Sequence, residues 1–138
     1  MFLGERVGSA SALDSSLLTF GFTAELGFLH GAALCEAEGI PLDSYSEAAN
    51  TLMPILAADM LKATRMISKS NYAGEEASLE ISASAFGNIV RFSDDAGVNR
   101  AASELLVSLV KRAIDFGYAG DEFQAVFEVL RKKKKAQD

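Results

Sequence analysis

A chain of 138 residues, 49% hydrophobic with 2 prolines, can bury one real core but not a core plus a separate nucleotide-binding unit. Its formal charge of −6 offers no basic face to neutralise phosphates, which excludes general nucleic-acid binding. The one cysteine, Cys35, excludes an intrachain disulfide and a cysteine-rich metal site; beside Ala33, Leu34 and Ala37 it reads as a small core hydrophobe.

Residues 1–8 read as a lead-in, 9–131 as a single all-α domain of five to six helices, and 132–138 as a basic flexible tail. The first element, Ser9 to Glu38, is an unbroken helix without proline, closed by Gly39 and Pro41. About 30 residues of helix span roughly 45 Å, more than the diameter of a domain this size. Part of it must therefore find cover outside its own compact body. Gly21, Gly27 and Gly31 each cost up to about 1 kcal/mol against alanine. With Ala24, Ala32 and Ala33 they suit close approach of another backbone, in an internal crossing or against a second protomer. An intertwined, helix-swapped homodimer is the expectation.

No membrane span is expected of this helix. Asp14, Glu25 and His30, with Ser15, Ser16, Thr19 and Thr23, interrupt any run of about 20 apolar residues. The N-terminus lacks a basic region followed by an apolar core and cleavage site, so a cytoplasmic protein is expected.

After Gly39, Ser44-Tyr45-Ser46-Glu47 reads as a capping box opening a second helix. Its apolar stripe is Leu52, Ile55, Leu56, Met60, Leu61 and Ile67, and Pro54 predicts a kink or a fresh start. A loop over Ser68–Gly74 leads to a third helix, Glu75 to Ala96, which ends at Gly97. Asn99 caps a fourth, whose Leu105, Leu106, Leu109, Val110 and Ile114 line one side before Gly117. Gly120-Asp121-Glu122 opens the last helix, with acids at its positive end and the Lys132–Lys135 run beyond its negative end.

Candidate chemistry is sparse. Asp14 is either a first-turn acid facing the helix dipole in solvent or a carboxylate at a cleft mouth, placed to move a proton or hold a cation. Glu25 and His30 miss the i, i+4 spacing of a helical ligand pair, and no metal site is expected. Tyr45, Tyr72 and Tyr118 read as half-buried aromatics. Gly4-x-x-x-Gly8 and Gly27-x-x-x-Gly31 lack the strand–turn–helix setting and Lys-Ser/Thr ending of a phosphate loop. No Ser-His-Asp or Cys-His arrangement can be argued for the one histidine.

The stretch GSASALDSSLL, Gly8 to Leu18, resembles the start of the long inter-domain helix of imine reductases and reductive aminases, in the β-hydroxyacid dehydrogenase superfamily. Phe28–Pro41, Ser70–Ala83 and Asn88–Arg131 agree with the same family in order and spacing. The resemblance implies a helical domain that dimerises by swapping its long helix. It also implies an active site formed with an NADPH-binding Rossmann domain, in cis or in trans. Where related β-hydroxyacid dehydrogenases carry a catalytic lysine, this chain has Asp14, the replacement expected of imine reductases, which suits a cationic iminium. A family position often held by tyrosine is Phe22, and SLAMQ of relatives is Ser78-Leu79-Glu80-Ile81-Ser82 here, which makes Phe22, Ile81 and Ser82 pocket residues by resemblance.

No Gly-x-Gly-x-x-Gly turn is present, so residues 1–138 alone are expected to bind no cofactor and to be inactive. The reading is thus the dimerisation and substrate-pocket domain of an NADPH-dependent oxidoreductase acting on imines, amines or carbonyls. The alternative is a non-catalytic helical homodimer serving as an interaction or small-molecule-binding module.

Overall fold

The computed structural model describes residues 8–131. The lysine run at 132–135 and most of the lead-in therefore lie outside the described residues. Five α-helices follow in order: α1 (Ser9–Ala37), α2 (Leu42–Lys69), α3 (Leu79–Asp95), α4 (Ala101–Ala113) and α5 (Phe127–Leu130). A π-helical turn at Ile114–Tyr118 and a 3-10 turn at Phe123–Val126 join α4 to α5. The all-α reading holds; the last helix is split and shorter than the sequence suggested.

The core is built without α1. Met66 of α2, Tyr72 of the following loop, Leu79 of α3, Val110 and Ala113 of α4, and Ala125 and Val126 close around one another, with Phe86, Leu109 and Val129 packed against them. The first helix, 29 residues and about 43 Å long, has no buried residue at all. Leu17, Leu18, Phe20, Phe22, Leu26 and Leu29 are each more than half exposed. The N-terminal two-thirds of α2 is similar, with Leu52, Met53, Ile55 and Leu61 uncovered.

By length and a mean hydropathy of 1.3, α1 is apolar enough to cross a membrane, so its polar residues interrupt it less than expected. The same composition suits a helix covered by protein on several sides. Within its own chain α1 packs mainly on α2 and α4.

The α1 glycines divide. A Cβ at Gly21 or Gly27 would meet nothing within 4 Å, whereas one at Gly31 would fall 2.1 Å from the Tyr45 hydroxyl. Gly31 thus admits an aromatic ring rather than another backbone. Tyr45 stacks on Phe28 at 4.9 Å and donates to the Phe28 carbonyl at 3.0 Å. Gly31→Ala should expel that ring and loosen α1 from α2, costing about 1–3 kcal/mol by overpacking in chemical unfolding. Gly21→Ala is its control.

Local punctuation is partly as expected. Gly39 takes φ 71, and the Ile40 N–H reaches back to the Cys35 carbonyl at 2.8 Å. The expected capping box is not used. The second helix begins at Leu42 on Pro41, whose φ of −58 already suits a helix entry, and this leaves Ser44 and Glu47 inside. Pro54 lies within a helix that runs through it, where its ring removes a bond to an exposed turn. Ser78, not a residue near Glu75, caps α3 by accepting the Ile81 N–H. Asn99 accepts the Ala101 N–H at 2.8 Å, one position ahead of the formal cap.

Candidate functional site

Asp14 is the sixth residue of α1, and no acid occupies the first turn. The dipole effect falls off within that turn, so the dipole-facing reading loses its footing. The side chain is exposed, and no hydrogen-bonding or charged partner reaches it among the described residues. Two of the neighbouring hydroxyls are committed: Ser16 donates to the Ala12 carbonyl at 2.7 Å and Thr19 to that of Ser15 at 2.9 Å. Asp14 is therefore an exposed carboxylate without a partner among the described residues, with the apolar Leu17, Leu18 and Phe22 following it at 58%, 61% and 68% exposure.

The predicted pocket residues are not gathered in one chain. Ile81 and Ser82 stand in the first turn of α3, Ile81 at 61% exposure. The α1–α3 contact that can be named is far from Asp14: His30 Nε2 lies 3.3 Å from the Ser93 hydroxyl. Since that hydroxyl donates to the Ile89 carbonyl at 2.8 Å, it accepts from the imidazole. Sixteen residues separate Asp14 from His30, about 24 Å along the axis. An open groove of about 550 Å³ between α3 and α4, lined by Gly87, Val90, Val107, Ser108, Lys111 and Arg112, includes none of the predicted site residues. It is a shallow surface furrow rather than the place for the chemistry. No grouping of three metal-ligating side chains occurs among the described residues.

A second cluster escaped the sequence reading. Glu122, which the sequence places among the acids opening the last helix, is 2% exposed. One carboxylate oxygen accepts the Glu76 N–H at 3.0 Å and the other pairs with Lys62 of α2. Lys62 also reaches Glu76 at 2.9 Å. Burial pushes the Glu122 carboxyl up, but the Lys62 ammonium and the Glu76 N–H outweigh it and hold the group below the ordinary carboxylate value. Beside it, Tyr72 donates to Glu128 at 2.5 Å; burial and that bond push the phenol up to about 12. The available signal was a lone lysine inside the apolar stretch Met60-Leu61-Lys62-Ala63.

A carboxyl held below its unfolded value contributes stability that is present above about pH 4.5 and lost as pH falls through the folded value. Wild type should accordingly exceed Glu122→Gln in thermal midpoint at pH 7, and the gap should close as pH falls below about 4.5. A pH-independent gap would mean the ion pair does not carry it.

Residues 8–131 hold no strand–turn–helix cradle of the kind that receives a dinucleotide phosphate. The comparisons nevertheless point to proteins that bind NADPH. Residues 7–132 match the family model described as NADPH-dependent reductive aminase-like, C-terminal domain. No curated protein matches the chain. A reductive aminase from Aspergillus terreus, solved with NADPH and ethyl levulinate, is 27% identical with a TM-score of 0.88, over 95% of this chain and 46% of that one. An imine reductase from Myxococcus stipitatus, solved with NADP+, is 26% identical with a TM-score of 0.84, over 91% of this chain and 46% of the other. An imine reductase from Pseudomonas sp., at 21% identity and a TM-score of 0.88, shares the fold over 94% of this chain. The chain thus spans just under half the length of the structures it matches. It belongs to the family of NADPH-dependent reductive aminase-like C-terminal domains.

Proposed function

We propose that this domain supplies the dimer interface and half of the substrate pocket of an NADPH-dependent enzyme that reduces imines, whether supplied as such or formed from a carbonyl compound and an amine. The observation that carries the reading is α1: an apolar helix with no fully buried residue in its own chain, whose Asp14 is exposed and without a partner among the described residues. Each of its large side chains gains about 1 kcal/mol on losing its remaining exposure. Two copies of α1, with the uncovered part of α2, are enough to offset an association cost of about 4–15 kcal/mol. A second protomer is favoured over a lipid bilayer because Asp14, Glu25 and His30 along α1 would be costly to place in lipid.

In this reading Asp14 would protonate the substrate nitrogen or hold the iminium by charge, and NADPH, when bound by its own domain, would supply the hydride. Phe22 cannot donate a proton, so it shapes the pocket, as do Ile81 and Ser82. The cofactor is held by a Rossmann domain, in cis or in trans.

The test joins this chain to the cofactor-binding half of the Aspergillus terreus relative. Light scattering should give a dimer mass, and NADPH should be consumed when carbonyl compound and amine are both present. A monomer would sink the interface. A dimer with no turnover would favour the non-catalytic module instead.

A further inference from the structure

The first turn of α3, where Ile81 and Ser82 stand, is not held by its own helix alone. The Leu79 N–H donates to the Asp121 carbonyl at 2.8 Å and the Glu80 N–H to that of Ala119 at 3.3 Å. These are among the N-terminal N–H groups that a helix leaves without internal partners. The segment that answers them, residues 119–122, is fixed in turn at Glu122. Its N–H donates to the Tyr72 carbonyl at 3.0 Å, and Ser78 and Glu122 form an isolated antiparallel bridge. Its carboxylate, 2% exposed, accepts the Glu76 N–H and pairs with Lys62. Gly74 leaves the room for it, since a Cβ there would lie 1.7 Å from the carboxylate oxygen.

One buried carboxylate therefore ties three pieces of chain together: α2 through Lys62, the lead into α3 through Glu76, and its own segment. We infer that Glu122, anchored by Lys62, is a positioning residue that sets where Ile81 and Ser82 present themselves to substrate. This rests on the pocket assignment made above. It goes beyond that assignment by giving the pocket wall a support that touches no substrate. A buried ion pair is a weak source of net stability but a good source of register, because its geometry tolerates little displacement.

The experiment compares wild type, Glu122→Gln and Glu122→Ala in two measurements. Amide hydrogen exchange on the 138-residue chain should quicken about tenfold or more at Glu76, Leu79, Glu80 and Ile81 in Glu122→Ala, while Val110 in the α4 core keeps its protection. Glu122→Gln, which retains an acceptor for the Glu76 N–H and the shape of the side chain, should fall between and also serves if the alanine variant does not fold. In the active chimera, KM for the carbonyl or imine substrate should rise about tenfold in Glu122→Ala with kcat changed less than about twofold. Lys62→Arg should restore more of the wild-type KM than Lys62→Met. Unchanged exchange at the α3 start would overturn the support. Faster exchange with unchanged KM would overturn its link to the pocket. A wild-type chimera without turnover strikes the proposed function, and the pocket link with it, while the exchange result still decides whether Glu122 holds the turn.

Discussion

Asp14→Ala is expected to lower kcat/KM for imine reduction by about 10²–10⁴-fold and to leave the dimer mass unchanged. The size follows from what a positioned proton donor contributes, and the specificity follows from the setting. On α1 the nearby hydroxyls of Ser16 and Thr19 are tied to backbone carbonyls, and Phe22 has no proton to give. Asp14→Asn separates the two proposed roles, since it keeps size and polarity but loses both the charge and the acidic proton. If the carboxylate mainly anchors a cation, the asparagine variant should show its loss chiefly in the amine KM; if it mainly protonates, chiefly in kcat. Turnover within twofold of wild type for both variants would return Asp14 to an ordinary exposed acid.

Gly74→Val is expected to destabilise the chain by about 3 kcal/mol or more. The added Cβ would fall 1.7 Å from one Glu122 oxygen and 2.4 Å from its carboxyl carbon. The end of a flexible side chain would ordinarily step aside, but this one is held by Lys62 and the Glu76 N–H. Moving it combines overpacking, about 1–3 kcal/mol, with the loss of hydrogen bonds to a charged group, about 1.5–3 kcal/mol each. Gly87→Ala is the matched control. A Cβ there meets nothing within 4 Å, and a helical alanine gains up to about 1 kcal/mol over glycine. Urea unfolding followed by circular dichroism reads both. A Gly74→Val chain within 0.5 kcal/mol of wild type would show that the carboxylate moves freely.

What could be read without coordinates was what depends on near neighbours. Gly39 and Pro41 closed α1, Gly97 ended α3 and Asn99 opened α4, because glycine at positive φ and side-chain caps act over a few residues. The errors have different causes. Ser44 and Glu47 formed a plausible cap, but Pro41 claimed the helix start first. Pro54 predicted a kink or a fresh start, and there is no fresh start: the helix runs through it on an uncovered stretch where water can take the freed carbonyl. Glu122 followed Gly120 and Asp121 in a helix-opening pattern, whereas its partner is Lys62, far away in the chain and on another helix. Long-range ion pairs leave no periodicity to detect. The candidate site was legible at Asp14 only through resemblance, since composition favoured a solvent-facing role. Ile81 and Ser82 were placed in the same way, and their support at Glu122 had no local signature.

The bareness of α1 has a thermodynamic consequence. A helix in a protein takes most of its stability from what it packs against, and α1 buries no residue in its own chain. In the proposed dimer the free energy that keeps it helical comes from the second protomer and enters through mass action. Folding of α1 and association become one equilibrium. Its melting temperature should climb with protein concentration, and dilution alone should cost helicity before the compact core around Leu79 and Val110 is disturbed.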